Sequence, residues 1–361
     1  MPSEADQLPI TLSEPVRGSR WGSDTLELSG LDLLQAGVDR KLPDAPVMRL
    51  TGFRITEVGP GTTTVSMPAS PWWQTSIGVF TPGTLAFVAD AAASGPYLTT
   101  LPPRVRMTTS QLLINFLRTP TVESQTIVGR GRLLHSSHAA GLAEAFLEDA
   151  EGRVLAHCTA RSVAIPIEEH GSSRPPPEVT EPVWEEPDPY LRTPQTVEAQ
   201  ERWAKASGIE RLRYLQSSEY PTPMMQLLGL RAVAVTEGEA TMTMAASKWL
   251  NNYGGTIYGG ATTCLAEGTC TAAVLSTLPA GSACAPLDVK VNFLRPILPF
   301  DGDVIAKARV VHKGMTMAIV QCEVTAQDKL VAIANESALL LHGRSADKPV
   351  HVAEEVETPP G

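Results

Sequence analysis

Residues 46–54, PVMRLTGFR, and residues 223–231, PMMQLLGLR, say almost the same thing, and the echo continues. Adding 177 to a residue number carries Pro46, Met48, Leu50, Gly52 and Arg54 onto identical residues Pro223, Met225, Leu227, Gly229 and Arg231. The same shift carries Trp72 onto Trp249, Gly83 onto Gly260, Ala89 onto Ala266, and INFLR (114–118) onto VNFLR (291–295). It runs on through His135 and His312 to Val154 and Val331 without a gap. A constant register over that length requires the same elements at the same spacing, so the chain is two copies of one structural unit. Its 361 residues, 43% of them hydrophobic, suffice for a core in each copy.

Each copy has one order of patterns. A strand-like stretch such as EATMTMAAS (239–247) alternates polar and apolar positions. A loop follows, then a helix from about 83 to 94 in copy one and about 260 to 276 in copy two, rich in Ala, Leu and Thr. Four strand-like runs complete the copy; in copy two they are DVKVNFLRPIL, DVIAKARVVHK, TMAIVQCEVTA and LVAIANESALLL. The segment between the copies, 166–196, is crowded with prolines and acids and reads as an extended linker. VEAQERWAKASGIERLRYLQ (197–216) has helical spacing and leads into copy two. The resulting division is a mobile N-terminus over 1–25, one domain over 26–165, the linker over 166–196, a second domain over 197–342, and a mobile tail over 343–361.

A formal charge of -10 leaves no basic footprint for nucleic acid. The first residues lack the basic-then-apolar order of a signal peptide, and no run of 18 or more apolar residues is long enough to span a membrane. The five cysteines form no CxxC or metal-ligand pattern, which points to a reduced, cytoplasmic setting. His135 and His312 have no neighbouring ligands in sequence, and no metal is expected. One feature resists this plain reading: Glu267 is a lone acid within the apolar helix of YGGATTCLAE (258–267), where burying an unpaired carboxylate costs several kcal/mol or shifts its pKa.

Strand, helix and strand meander, taken with four short motifs, resemble the PaaI-type acyl-CoA thioesterases. Copy two offers Asn252, Tyr258-Gly259-Gly260, Leu265-Ala266-Glu267 and Asn292-Phe293-Leu294-Arg295-Pro296. Copy one offers Thr75, Thr81-Pro82-Gly83, Val88-Ala89-Asp90 and Asn115-Phe116-Leu117-Arg118. The resemblance covers roughly 46–165 and 223–342. It departs from the family pattern at Tyr258 and Thr81, where the family has His, and at Glu267, where it has Asp. What it implies is an α+β fold of tandem hotdog domains, each a central helix wrapped by an antiparallel sheet, paired as an intrachain pseudo-dimer. Each site would be shared, with the helix start from one copy and the acid from the other.

The two composite sites are not equivalent. Thioester hydrolysis needs a preorganised donor for the oxygen that becomes negative, and free N–H groups at a helix start supply one. Gly259 has such an N–H; its counterpart Pro82 has none. Asn252 corresponds to Thr75, and Thr109, the hydroxyl expected beside the acid, corresponds to Pro286. The resemblance therefore assigns the working site to Asp90, Gly259, Asn252 and Thr109, with Tyr258 and Gly260 against the substrate. Thr75, Thr81 and Glu267 belong to a degenerate second site that retains at most substrate contacts. Thr81 and Pro82 also read simply as a helix start, Thr as N-cap and Pro at the first helical position. Trp72, Trp73, Trp249, Tyr253 and Met224 line a tunnel or fill a core. The implied substrate is an acyl-CoA, with coenzyme A as part of it and no other cofactor; association of tandem chains is a further possibility. From a different class, the same residues suit a non-catalytic acyl-CoA binding or sensing protein. A hydratase fits less well, because no Asp and His pair accompanies either acid.

Overall fold

The computed structural model describes residues 9–75, 79–167, 184–194, 205–217 and 221–342. The strand-like runs of the first copy become β1 (Arg54–Gly59), β2 (Thr62–Pro68), β3 (Val105–Phe116), β4 (Thr126–Ser136), β5 (Ala140–Glu148) and β6 (Val154–Pro166). Those of the second become β7 (Leu230–Thr236), β8 (Glu239–Ala245), β9 (Ala283–Phe293), β10 (Asp303–Lys313), β11 (Met317–Ala326) and β12 (Lys329–Leu341). Alternation sets which side chains face inward: along β11, Ala318, Val320, Cys322 and Val324 are buried while Met317 and Glu323 face out. All twelve strands form one antiparallel sheet in the order β1-β2-β4-β5-β6-β3-β9-β12-β11-β10-β8-β7.

The halves join where β3 runs antiparallel to β9. Leu113 sits opposite Lys290, its own counterpart under the repeat shift, while Gln111 faces Asn292 and Asn115 faces Asp288 as equivalent pairs. A pseudo-two-fold axis therefore passes between Leu113 and Lys290. The helix of each copy, Ala86–Leu98 in the first and Gly259–Leu275 in the second, packs on the strands of its own half and on the other helix. Both sequences are apolar on nearly every face, and both helices are buried almost all round. They begin differently: the second starts directly at Gly259, whereas the first is preceded by a 3-10 turn, Pro82–Leu85. This is the tandem hotdog architecture. Trp73 and Trp249 are fully buried in the core. Among the described residues no helix is long and apolar enough to cross a membrane.

The segments ahead of each copy depart from the sequence expectation. Residues 9–25, expected to be mobile, include a helical turn, Ile10–Ser13, and bury Thr11, Arg17 and Thr25. Residues 184–194, within the stretch expected to be an extended linker, contain a 3-10 turn, Pro189–Leu191, and lie against copy one. The rest of that linker, residues 197–204 and the tail after 342 lie outside the described residues. The two arms cross. Trp249 Nε1 of copy two donates to Glu14 O at 3.0 Å, and its counterpart Trp72 Nε1 of copy one donates to Arg192 O at 2.8 Å. The arms clasp each other through Arg192 and Glu14, whose two N–O contacts are 2.5 and 2.9 Å.

After each arm comes a helix, Gly30–Val38 or Gly208–Ser217, seated on the C-terminal end of its central helix. Gly30 N donates to Leu101 O at 2.9 Å and Gly208 N to Leu278 O at 3.0 Å, the same contact in both copies. A Cβ at Gly30 would collide with Leu98 O, and one at Gly208 with Leu275 O, and backbone cannot step aside as a side-chain tip can. Gly30→Ala and Gly208→Ala are each expected to destabilise the protein by about 1–3 kcal/mol in urea unfolding. An unchanged midpoint for both would remove this seating from the account of the fold.

Candidate active site

The pseudo-dyad brings the acid of each central helix to the start of the other. Asp90, on the first central helix, accepts from the backbone N–H of Gly260 at 3.1 Å through Oδ2 and from the Thr109 hydroxyl at 3.0 Å through Oδ1. Thr109 reaches it from β3. Gly260 is the second residue of the facing helix, so Asp90 caps that helix from the other copy, where the N–H groups are free and the dipole favours an anion. The contact with Asp90 thus comes from Gly260 and not Gly259. Gly259, the first residue of the helix, presents an N–H that has no intrahelical acceptor.

A side chain at either glycine would force its neighbours to shift. A Cβ at Gly259 would lie 2.6 Å from Asp90 Oδ2, and one at Gly260 would lie 2.6 Å from the Tyr258 ring and 2.7 Å from Ala86 O. The absent side chains let the carboxylate approach the backbone.

Asp90 is buried, yet it opens with Thr109, Asn252, Tyr258 and Gly259 onto a cavity of about 1000 Å³ between the halves. Burial pushes its carboxyl pKa from 3.8 up to about 6, against the opposing pull of the Thr109 hydroxyl and the Gly260 amide. Asn252 lines the cavity but is occupied by its own loop: Nδ2 donates to Thr256 Oγ1 at 3.0 Å, and Oδ1 accepts from Gly254 N at 2.8 Å and Thr256 N at 3.3 Å. Its evident work is to shape the turn that leads into the helix. Tyr258 caps the helix start with its backbone while its hydroxyl donates to Phe87 O at 2.9 Å and its ring stacks on Phe53, so it ties the copies together. Asn252 was expected at the reacting group and Tyr258 against the substrate, and in each the polar end is bonded to protein.

The second composite position has diverged further. Glu267 is fully buried and lies outside the cavity, with Oε2 pressed against Gly83. Thr75 donates to Val79 O within its own loop at 2.8 Å, and the Thr81 hydroxyl contacts Met224 Sδ at 3.5 Å. Thr81 does occupy the N-cap position before Pro82, though its side chain makes no capping hydrogen bond. None of these residues lines the cavity beside Asp90.

Sequence reading missed the partner of Glu267. Glu336, on β12, is equally buried, and the Thr271 hydroxyl lies 3.1 Å from Glu267 Oε1 and 3.3 Å from Glu336 Oε1. One hydroxyl carries one proton and cannot donate to both. The two carboxyls therefore compete for one donor. Burial raises both pKa values, Glu267 to about 7, and the neighbouring Glu267 charge raises Glu336 further. No short-range signal links two acids 69 positions apart. Also missed was Arg106, which lines the Asp90 cavity together with Tyr253. Among the described residues no group of three or more His, Cys, Asp and Glu is placed to hold a metal.

Residues 254–333 match the thioesterase superfamily family model. No curated protein matches the chain. Among solved structures, the tesB protein of Mycobacterium avium subspecies paratuberculosis is 12% identical, with 86% of this chain and 99% of that one covered at a TM-score of 0.50, a likeness of fold. A conserved protein from Pseudomonas aeruginosa is 32% identical over 36% of this chain and 98% of its own, at a TM-score of 0.32. A thioesterase from Haemophilus influenzae is 24% identical over 40% of this chain and 97% of its own, at 0.34.

An acid whose folded pKa is raised binds protons more tightly when folded. Asp90 therefore costs stability once pH exceeds the unfolded value, and the full cost, on the order of 3 kcal/mol, is reached above about 6. Asp90→Asn is expected to raise the melting temperature at pH 8 and to have little effect at pH 4. Equal shifts at the two pH values would show that Asp90 ionises as an ordinary surface acid.

Proposed function

We propose that this chain, a tandem hotdog protein of the thioesterase superfamily, hydrolyses acyl-CoA thioesters to free acid and CoA at the composite site of Asp90 and the helix beginning at Gly259. The observation that carries the proposal is the Asp90 carboxylate at the cavity wall, held by Gly260 N and Thr109 Oγ1 from opposite copies. Each Asp90 oxygen has one lone pair engaged and one left for a proton. The thioester carbonyl would rest against the Gly259 N–H, whose donor strength grows as the oxygen becomes negative. Ionised Asp90 would take the proton of a water that adds to the carbonyl carbon. The carbon–sulfur bond then breaks, and the proton passes to the departing thiolate. Direct attack by Asp90 on the carbonyl carbon, expelling the thiolate and leaving an anhydride for water to open, uses the same positions.

A pKa near 6 suits this work, because the group is ionised at neutral pH and remains a usable base. The Glu267 position is equipped differently: Pro82 has no N–H, Pro286 stands where Thr109 does, and Glu267 lies outside the cavity beside Glu336.

In a thiol-release assay over an acyl-CoA panel, Asp90→Asn is expected to abolish turnover and Glu267→Gln to leave it within a few-fold. The reverse pattern would move the chemistry to the other site. Gly259→Pro removes the N–H but adds a Cβ facing Asp90, so Gly259→Ala, which adds the Cβ and keeps the N–H, is its control. Proline is expected to lower kcat by roughly 100- to 1000-fold beyond alanine. The rate should rise with pH through one ionisation near 6, and a profile flat from pH 5 to 8 would remove Asp90 as the base. Acyl-CoA binding by calorimetry with no thiol released would replace hydrolysis by the binding or sensing role.

A further inference from the structure

The Asp90 cavity contains a cation that the thioester chemistry does not use. Arg106 lies on β3, three residues before Thr109, and its half-buried side chain lines the same cavity. Nη2 donates to Thr25 O at 2.5 Å and Nη1 to Val105 O at 3.3 Å, both neutral carbonyls. Among the described residues no carboxylate pairs with it. Burial pushes its pKa down, and the one opposing influence is the Tyr253 phenol. Arg54, on the same cavity, is instead bonded to both oxygens of Asp44 at 2.8 Å.

Tyr253 lines the same cavity as Arg106 and Asp90. Its phenol pKa is pushed up to about 12, first by burial and then by the Asp90 charge, while Arg106 acts in the opposite direction. Its ring stacks on Trp21 at 4.2 Å and 12°, and Trp21 Nε1 donates to Pro43 O at 3.0 Å. The N-terminal arm thus orients both groups, Tyr253 through Trp21 and Arg106 through Thr25 O. Under the repeat shift Arg106 corresponds to Ala283, so the charge belongs to the Asp90 site alone.

A guanidinium has five N–H donors in a rigid fork matched to a carboxylate or phosphate. Two of the five are accounted for, and among the described residues no anion answers the charge. We infer that Arg106 is the recognition residue for an anionic group of the substrate, a carboxylate of the acyl part or a phosphate of the carrier, set apart from the thioester. This rests on the thioesterase reading of the same cavity.

The experiment compares wild type with Arg106→Gln and Arg106→Lys on four thioesters: valeryl-CoA, glutaryl-CoA, and the valeryl and glutaryl thioesters of pantetheine, which lacks the phosphates. If the anion is an acyl carboxylate, Arg106→Gln should lower kcat/KM about 10- to 100-fold more on the glutaryl than on the valeryl thioesters, whichever the carrier. If it is a phosphate, the extra loss should fall on the CoA thioesters, whichever the acyl group. Arg106→Lys keeps the charge on a slightly shorter chain without the fork, so it should retain part of the preference; it also decides the matter if the glutamine variant does not fold. A uniform change on all four thioesters overturns the inference. Should wild type release no thiol from any of them, the thioesterase reading fails. Calorimetry with glutaryl-CoA and glutaryl-pantetheine then decides Arg106 by itself: binding weakened tenfold or more by Arg106→Gln upholds it, and equal affinity or no binding by wild type overturns it.

Discussion

An acid reaching from one copy to the helix start of the other is the contact on which the remaining features turn. Asp90 can meet the Gly260 amide because β3 and β9 pair across the middle of a single sheet with Leu113 opposite Lys290, which sets the two central helices side by side. A register slip of one residue along that ladder would turn every side chain to the other face and move the acids off their helix starts. The site is therefore a property of the join between the copies, and neither copy holds it alone. Glycine at 259 and 260 follows from the same approach, since a Cβ at either would occupy the space of the carboxylate or of Tyr258 and Ala86.

Two equivalent acids then met two different fates. Around Asp90, a hydroxyl from β3, an unblocked helix start and an adjoining cavity leave a carboxylate that can ionise near neutral pH and face a ligand. Around Glu267, a longer side chain is buried against Gly83, and Glu336 shares the Thr271 hydroxyl. Ionising both buried carboxyls would set two poorly screened negative charges side by side, so each raises the cost of charging the other. The lone acid in an apolar helix thus has a second acid beside it across the core, joined through Thr271.

The arms add a layer that the pseudo-symmetry of the core does not require. Each crosses to the opposite copy, and the Arg192–Glu14 pair joins them. On the Asp90 side the N-terminal arm also forms cavity wall, so the same segment that ties the copies together sets what the cavity presents to a ligand.

What the sequence determined by itself is what depends on local spacing and identity: two copies in constant register, strand alternation, an apolar helix in each copy, a missing N–H at Pro82, and the residue types at 90, 109 and 259. Those signals lie within a few residues of one another or repeat at one fixed shift, so they can be read along the chain. Tertiary structure alone decided which amide Asp90 touches, that the Asn252 amide serves its own turn, that Tyr258 bonds to Phe87, and that Glu336 stands beside Glu267. It also decided that segments rich in proline and charge pack as crossing arms, and that Arg106 and Tyr253 share the cavity with Asp90. Each of these contacts joins positions far apart in the chain, and its free energy comes from burial and pairing that exist only after the sheet has closed the distance.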